Sequence, residues 1–111
     1  VARDYLYRGA DVEFRGPEAL KAYLAGYHAA FPDLRLVIDD LMTEGERAIV
    51  LFTLTGTHEG ELMGIPPTGK RIEVHGVVRS RVFDGRIREE FEMVDQFALL
   101  TQLGVLSPPG S

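Results

Sequence analysis

The dipeptide Asp84-Gly85 places the tightest constraint on how this chain can fold. It separates two runs rich in β-branched and aromatic residues, Arg71 to Phe83 and Arg86 to Val94. Asp-Gly between such runs favours the two-residue turn whose twist matches that of antiparallel strands, so the two runs form a hairpin. A second turn, Glu44-Gly45-Glu46, joins a strand over Leu34 to Met42 to another over Ala48 to Thr57. The latter begins with apolar side chains on both faces, as a central, doubly covered strand would. Four consecutive strands thus read as an antiparallel meander.

One helix is expected before them. Gly16-Pro17-Glu18 is a helix start, because proline at the first turn lacks only an N–H that would be unpaired anyway. Leu20, Tyr23, Leu24, Tyr27 and Phe31 then recur at three- and four-residue spacing, one apolar face over residues 17–30, and Pro32 ends it. Residues 1–15 hold a short extended segment around Tyr5-Leu6-Tyr7 and a loop. His58 to Gly69, with three glycines and two prolines, must be a loop; Ile65 can anchor it on the core. Phe97 to Leu103 is a short helical turn stopped by Gly104, and the tail 107–111 is expected to be mobile. Strands grouped after a helix indicate the α+β class. A curved antiparallel sheet packed on helices would leave a pocket between sheet and helix.

A chain of 111 residues supports one domain, taken as 1–111. The absence of cysteine excludes disulfides, thiolate metal sites and a thiol nucleophile, and is compatible with a cytoplasmic location. A net charge of −5 argues against nucleic acid and anionic membranes as partners. The cluster Arg79, Arg81, Arg86 and Arg88 is interleaved with Asp84, Glu89, Glu90 and Glu92, as on a solvated edge. No apolar stretch is long enough to span a bilayer, and residues 1–4 show no secretory signal. No metal is expected, since His28, His58 and His75 lack ligand spacing, and no nucleotide-binding or nucleophile-elbow motif is present.

Side chains alternate along a strand, so Ile87, Glu89, Phe91, Met93 and Asp95 share one face, and Arg86, Arg88, Glu90, Glu92 and Val94 the other. The first set is the more apolar and is expected to face the pocket. A carboxylate there would lose hydration and become a stronger base. Asp95 could equally cap the short helix that follows it. Glu89 reads as a salt-bridged surface residue or a second acid. His75 is a candidate second catalytic group or an interface residue, because a bulge at Gly76 would decide its face. His28 reads as packing and His58 as a tether of its loop. Tyr7, Tyr23, Tyr27, Phe52, Phe91 and Met93 are candidate pocket walls for a small hydrophobic molecule.

Several segments resemble a known family. They are Gly16 to Leu20, Ala30-Phe31-Pro32-Asp33-Leu34, the loop Gly56-Thr57-His58 through Pro66-Pro67-Thr68-Gly69, Asp84-Gly85-Arg86-Ile87 and Gln102-Leu103-Gly104. In order and spacing they are similar to the SnoaL-like polyketide cyclases, a branch of the nuclear-transport-factor-2-like cone fold, over about residues 14–106. The resemblance implies a cone-shaped sheet around helices, homodimers formed through the sheet, and cofactor-independent aldol-type ring closure. It implies a single aspartate acid/base, which by position is Asp95. It also implies a preceding N-terminal lid helix, absent from this sequence, so that a fragment or a lidless variant is expected. A histidine–aspartate pair of many relatives is replaced here by Tyr7-Arg8-Gly9-Ala10. Two competing readings remain. One is a non-catalytic binding or dimerisation module. The other is an isomerase or epoxide hydrolase, whose Asp-Arg-Asp form lacks both residue types in the central strand, Ala48 to Thr57.

Overall fold

The computed structural model describes residues 1–9 and 12–106, so the tail 107–111 and Ala10, both read above, lie outside the described residues. Two short strands, β1 (Leu6–Arg8) and β2 (Glu13–Arg15), precede α1 (Pro17–Ala30). The long strands β3 (Arg35–Glu44), β4 (Arg47–Thr57), β5 (Arg71–Phe83) and β6 (Arg86–Val94) follow, and α2 (Gln96–Gln102) closes the order.

The helix α1 begins on Pro17 after Gly16, whose φ of 89° suits glycine, and ends where the Phe31 N–H donates to the Tyr27 carbonyl. Its apolar face is only partly covered. Phe31, just past its end, is fully buried and Tyr23 and Tyr27 are half-buried, but Leu24 is 48% exposed. The helix therefore lies across an open side of the sheet rather than sealing it.

The sheet has the order β2-β1-β6-β5-β4-β3, with β3 to β6 paired as the expected antiparallel meander. The segment around Tyr5-Leu6-Tyr7 does more than extend: β1 pairs parallel with β6, setting Tyr7 opposite Glu90. At the hairpin Asp84 and Gly85 both have positive φ, 52° and 72°, as this two-residue turn requires. Phe83 faces Arg86 and Val82 faces Ile87, but Arg81 then faces Glu89, so Arg88 is an extra residue in a β-bulge. Gly76, by contrast, marks no bulge. It sits in register between Phe52 and Val94, and a Cβ there would lie 2.4 Å from the Phe52 ring. Gly76 thus makes room for the Phe52 ring crossing the sheet.

The core gathers Ala30, Phe31, Leu62, Ile72, Val74, Leu99 and Leu103, with Ile65 packed against it as an anchor of its loop. That loop is tied down twice. Glu59 and Gly60 donate their N–H groups to the Ala30 carbonyl, and a Cβ on Gly60 would lie 2.1 Å from the Ala29 oxygen. His58 is fully buried, its Nδ1 accepting from the Thr68 N–H at 3.2 Å. Among the described residues no helix is long and apolar enough to cross a membrane.

Candidate active site

Cross-strand partners share a face of the sheet. Gly76, Val78 and Ser80 of β5 continue the buried row of Ile72 and Val74, and they stand opposite Val94, Glu92 and Glu90. The concave face of β6 therefore carries Glu90, Glu92 and Val94, the reverse of the face expected to line the pocket. The bulge at Arg88 accounts for the reversal. Carried on without it, the hairpin register would set Glu89, Phe91 and Met93 opposite Ser80, Val78 and Gly76. One extra residue flips every side chain beyond it.

Two cavities flank α1. The larger, about 480 Å³, lies between α1, the loop around Leu62 and Met63, and β1 and β6. The smaller, about 290 Å³, is walled by Leu34, Leu36, Phe52, Leu54, Ile72 and Val74 with Leu24 and His28 of α1. Tyr23, Tyr27, Glu92 and Val94 line both. Glu92 therefore stands where the two cavities meet.

Each concave glutamate is held by hydroxyl groups. Tyr7 donates to Glu92 at 2.5 Å, and a chain of hydroxyls continues from Tyr7 to Tyr23 at 3.3 Å and on to Tyr27 at 3.5 Å. Phe14 stacks on Tyr7 with ring centroids 4.6 Å apart, fixing the phenol's tilt. Glu90 accepts from Tyr5 at 2.6 Å and from Ser80 at 3.0 Å. Among the described residues no cation pairs with either carboxylate. Burial pushes the Glu92 carboxyl above the ordinary range; the Tyr7 hydrogen bond works against that rise, and Glu90's charge adds to it. Burial, reinforced by these acceptors, holds the Tyr5 and Tyr7 hydroxyls far above the ordinary phenol range, so both stay donors.

Of the expected site residues, Tyr7, Tyr23, Tyr27 and Phe52 line the cavities, and His28 joins them. Asp95 does not. It is exposed, and its side chain caps α2 by accepting from the Ala98 N–H at 2.9 Å. His75 points from the convex face, where its Nδ1 meets the Thr53 hydroxyl at 2.9 Å. Phe91 and Met93 are also convex, 41% and 52% exposed. Glu89 forms the surface ion pair foreseen for it, with Arg79 at 2.7 Å. Glu92, Glu90 and Tyr5 are the site residues that sequence reasoning missed. The signal pointing to them was the row of small residues Gly76, Val78 and Ser80, which only the bulged register connects to Val94, Glu92 and Glu90. Among the described residues no cluster of histidine and carboxylate groups could hold a metal ion.

Comparison with known proteins places the fold in a family. The model of the SnoaL-like polyketide cyclases matches residues 1–103. The aklanonic acid methyl ester cyclase of Streptomyces sp. (strain C5) is 31% identical over 109 residues, covering 94% of this chain and 67% of that protein. The nogalonic acid methyl ester cyclase of Streptomyces nogalater is 32% identical over 90 residues, covering 80% of this chain and 67% of that one. Among solved structures, TsrD from Streptomyces laurentii superposes with a TM-score of 0.87 at 30% identity, over 95% of this chain and 78% of its own. AclR from Streptomyces galilaeus, proposed as a hydroxylase, gives 0.85 at 34% identity over 96% and 68%. Matched family segments, a curved α+β sheet and relatives at this identity lead to one conclusion: the chain belongs to the SnoaL-like polyketide cyclase family.

Proposed function

We propose that this protein closes a ring in a small, largely apolar carbonyl compound by cofactor-independent acid/base catalysis, with Glu92 as the acid and base. The observation that carries the reading is the place of Glu92: a carboxyl group made more basic by burial, in the wall shared by two cavities. Its carboxylate removes a proton from a carbon between two carbonyl groups. The charge of the resulting enolate spreads over the substrate's own oxygens, which reduces what the protein must stabilise. The enolate carbon attacks a second carbonyl of the same molecule, and Glu92, now a carboxylic acid, returns the proton to the new alkoxide. Tyr7 holds the carboxyl oriented throughout.

The apolar wall of the smaller cavity suits a flat hydrocarbon body. Two of the relatives named above are methyl ester cyclases, and the same chemistry suits this site. With Glu90 and Glu92 side by side and unpaired by any described cation, a neutral ester is favoured over the free carboxylate. The test is turnover of a panel of aryl β-keto esters and poly-β-carbonyl methyl esters. Glu92→Gln should cut turnover by about 10²–10⁴-fold while leaving ligand-induced melting shifts in place. Full turnover in that variant would remove Glu92 from the mechanism.

Pairing of two copies through the convex face belongs to the same reading. Val37, Met42, Ile49, Leu51, Phe91 and Met93 lie on that face and are each more than a third exposed, and Val77 lies among them. Burying such a patch against a second copy removes it from water. Light scattering at micromolar concentration tests this; a monomeric mass would overturn it. The working compartment in this reading is the cytoplasm, which cell fractionation tests.

A further inference from the structure

Glu90 lines neither cavity, yet it is built into the site with unusual care. It lies on the same face of β6 as Glu92, two residues away, a separation of roughly 7 Å along the strand. Both of its oxygens accept hydrogen bonds from neutral hydroxyls, Tyr5 at 2.6 Å and Ser80 at 3.0 Å. Tyr5 is fully buried and Ser80 is 6% exposed, so these donors are fixed. Both carboxyl oxygens of Glu90 thus have a hydroxyl partner. Among the described residues Glu92 receives a hydrogen bond on one oxygen, from Tyr7, and its side chain lines both cavities. The two glutamates are therefore not equivalent. One is held on both oxygens and lines neither cavity, and the other lines both.

We propose that Glu90 is a positioning residue for Glu92: a negative charge, clamped by Tyr5 and Ser80, that makes the neighbouring carboxylate a stronger base than burial alone would. This rests on the assignment of Glu92 as the acid/base. Among the described residues, the following groups surround Glu92 besides Glu90. Tyr7 and Tyr5 approach from β1 and the segment before it, and Tyr23, Tyr27 and His28 from α1. Glu61 reaches the larger cavity from its loop, and β5 contributes Val78 and Ser80. Of these, only Glu90 and Glu61 carry negative charge, and only Glu90 sits beside Glu92 on its own strand. Like charges so placed disfavour ionisation of the second group, which retains its proton to higher pH.

The test is the titration of Glu92, followed through its side-chain carboxyl carbon by NMR, in the wild-type chain and in Glu90→Gln. The amide keeps the size of Glu90 and an acceptor for Tyr5 or Ser80, but carries no charge. The Glu92 midpoint should fall in the variant. The acid limb of the kcat/KM profile should move down with it. A merely structural role for Glu90 would lower the melting temperature and leave that limb in place. Should Glu90→Gln fail to fold, the wild-type curve still decides, because coupled groups report one another. The Glu92 signal should then show a second inflection at the midpoint of the Glu90 signal. An unchanged Glu92 midpoint in a folded variant, or a single inflection in the wild type, would overturn the proposal. These titrations do not depend on turnover. If Glu92→Gln kept full activity while Glu90→Gln still moved the Glu92 midpoint, the assignment of the acid/base would fail and the coupling would stand.

Discussion

The two faces of β6 invert the usual division between inside and outside. On the concave side Glu90 and Glu92 are part-buried against tyrosine hydroxyls, with no ion pair among the described residues. On the convex side Phe91 and Met93 stand in solvent beside a glutamate, Glu89, that has an arginine partner. A strand built for stability alone would place the phenylalanine and methionine inward, since burying a carboxylate costs more than an exposed apolar side chain does. The inversion shows that the concave face is organised around two acids and that the convex face keeps an apolar surface. Both features cost stability in a lone subunit, and each has a use in the function proposed above.

The largest stability effects should separate the two faces. Phe52 is buried on the concave side with its ring across Gly76, so Phe52→Ala should destabilise the chain by about 3–5 kcal/mol. Phe91→Ala, at a residue 41% exposed, should change the unfolding free energy of a monomer by less than about 1 kcal/mol, yet weaken self-association. Chemical denaturation with sedimentation measures both, and similar losses of stability would contradict the assignment of faces.

Tyr7→Phe should have the next largest effect. It removes the donor to Glu92, whose hydrogen bond keeps that carboxyl lower than burial alone would. The Glu92 midpoint should rise, and turnover near neutral pH should fall by roughly tenfold, the weight of one bond to a charged group.

A smaller effect concerns stability against pH. Because the folded-state value of Glu92 is raised, the folded chain holds a proton that the unfolded chain has already released. The stability contributed by this protonated group is complete below the ordinary carboxylate range. It is lost as pH rises from there through the raised folded value. Glu92→Gln should flatten that slope, and an unchanged slope in thermal unfolding across the acid range would count against the raised value. The smallest effect is at the cap: Asp95→Ala should cost about 1 kcal/mol, read by denaturation, through loss of the bond to the Ala98 N–H.

Much of the fold was legible in the sequence because local chemistry decides it. Pro17 and Pro32 bracket α1, Asp84-Gly85 makes the hairpin, and Ile65 docks its loop on the core. What escaped is non-local. The parallel pairing of β1 with β6 depends on contacts between residues more than eighty positions apart. The bulge at Arg88 leaves no mark in the pattern Arg86-Ile87-Arg88-Glu89, yet it decides which glutamates face inward. Apolar alternation pointed to Ile87, Phe91 and Met93 as the inner row, and it did so because an apolar convex face looks, in one dimension, like an apolar core. Tyr7, Tyr27 and Phe52 were found because aromatic residues on the concave face serve as packing and as cavity wall at once.

The central claim is that the acid/base group stands on the concave face of β6, at Glu92, and not at the helix cap, Asp95. The most direct test is to compare turnover of Glu92→Gln and Asp95→Asn on the same carbonyl substrate. Both substitutions remove a carboxylate while keeping shape, and asparagine caps a helix as well as aspartate does. Glu92→Gln should lose about 10²–10⁴-fold in turnover, and Asp95→Asn should keep nearly all of it. The opposite pattern, with Asp95→Asn inactive and Glu92→Gln active, would contradict it.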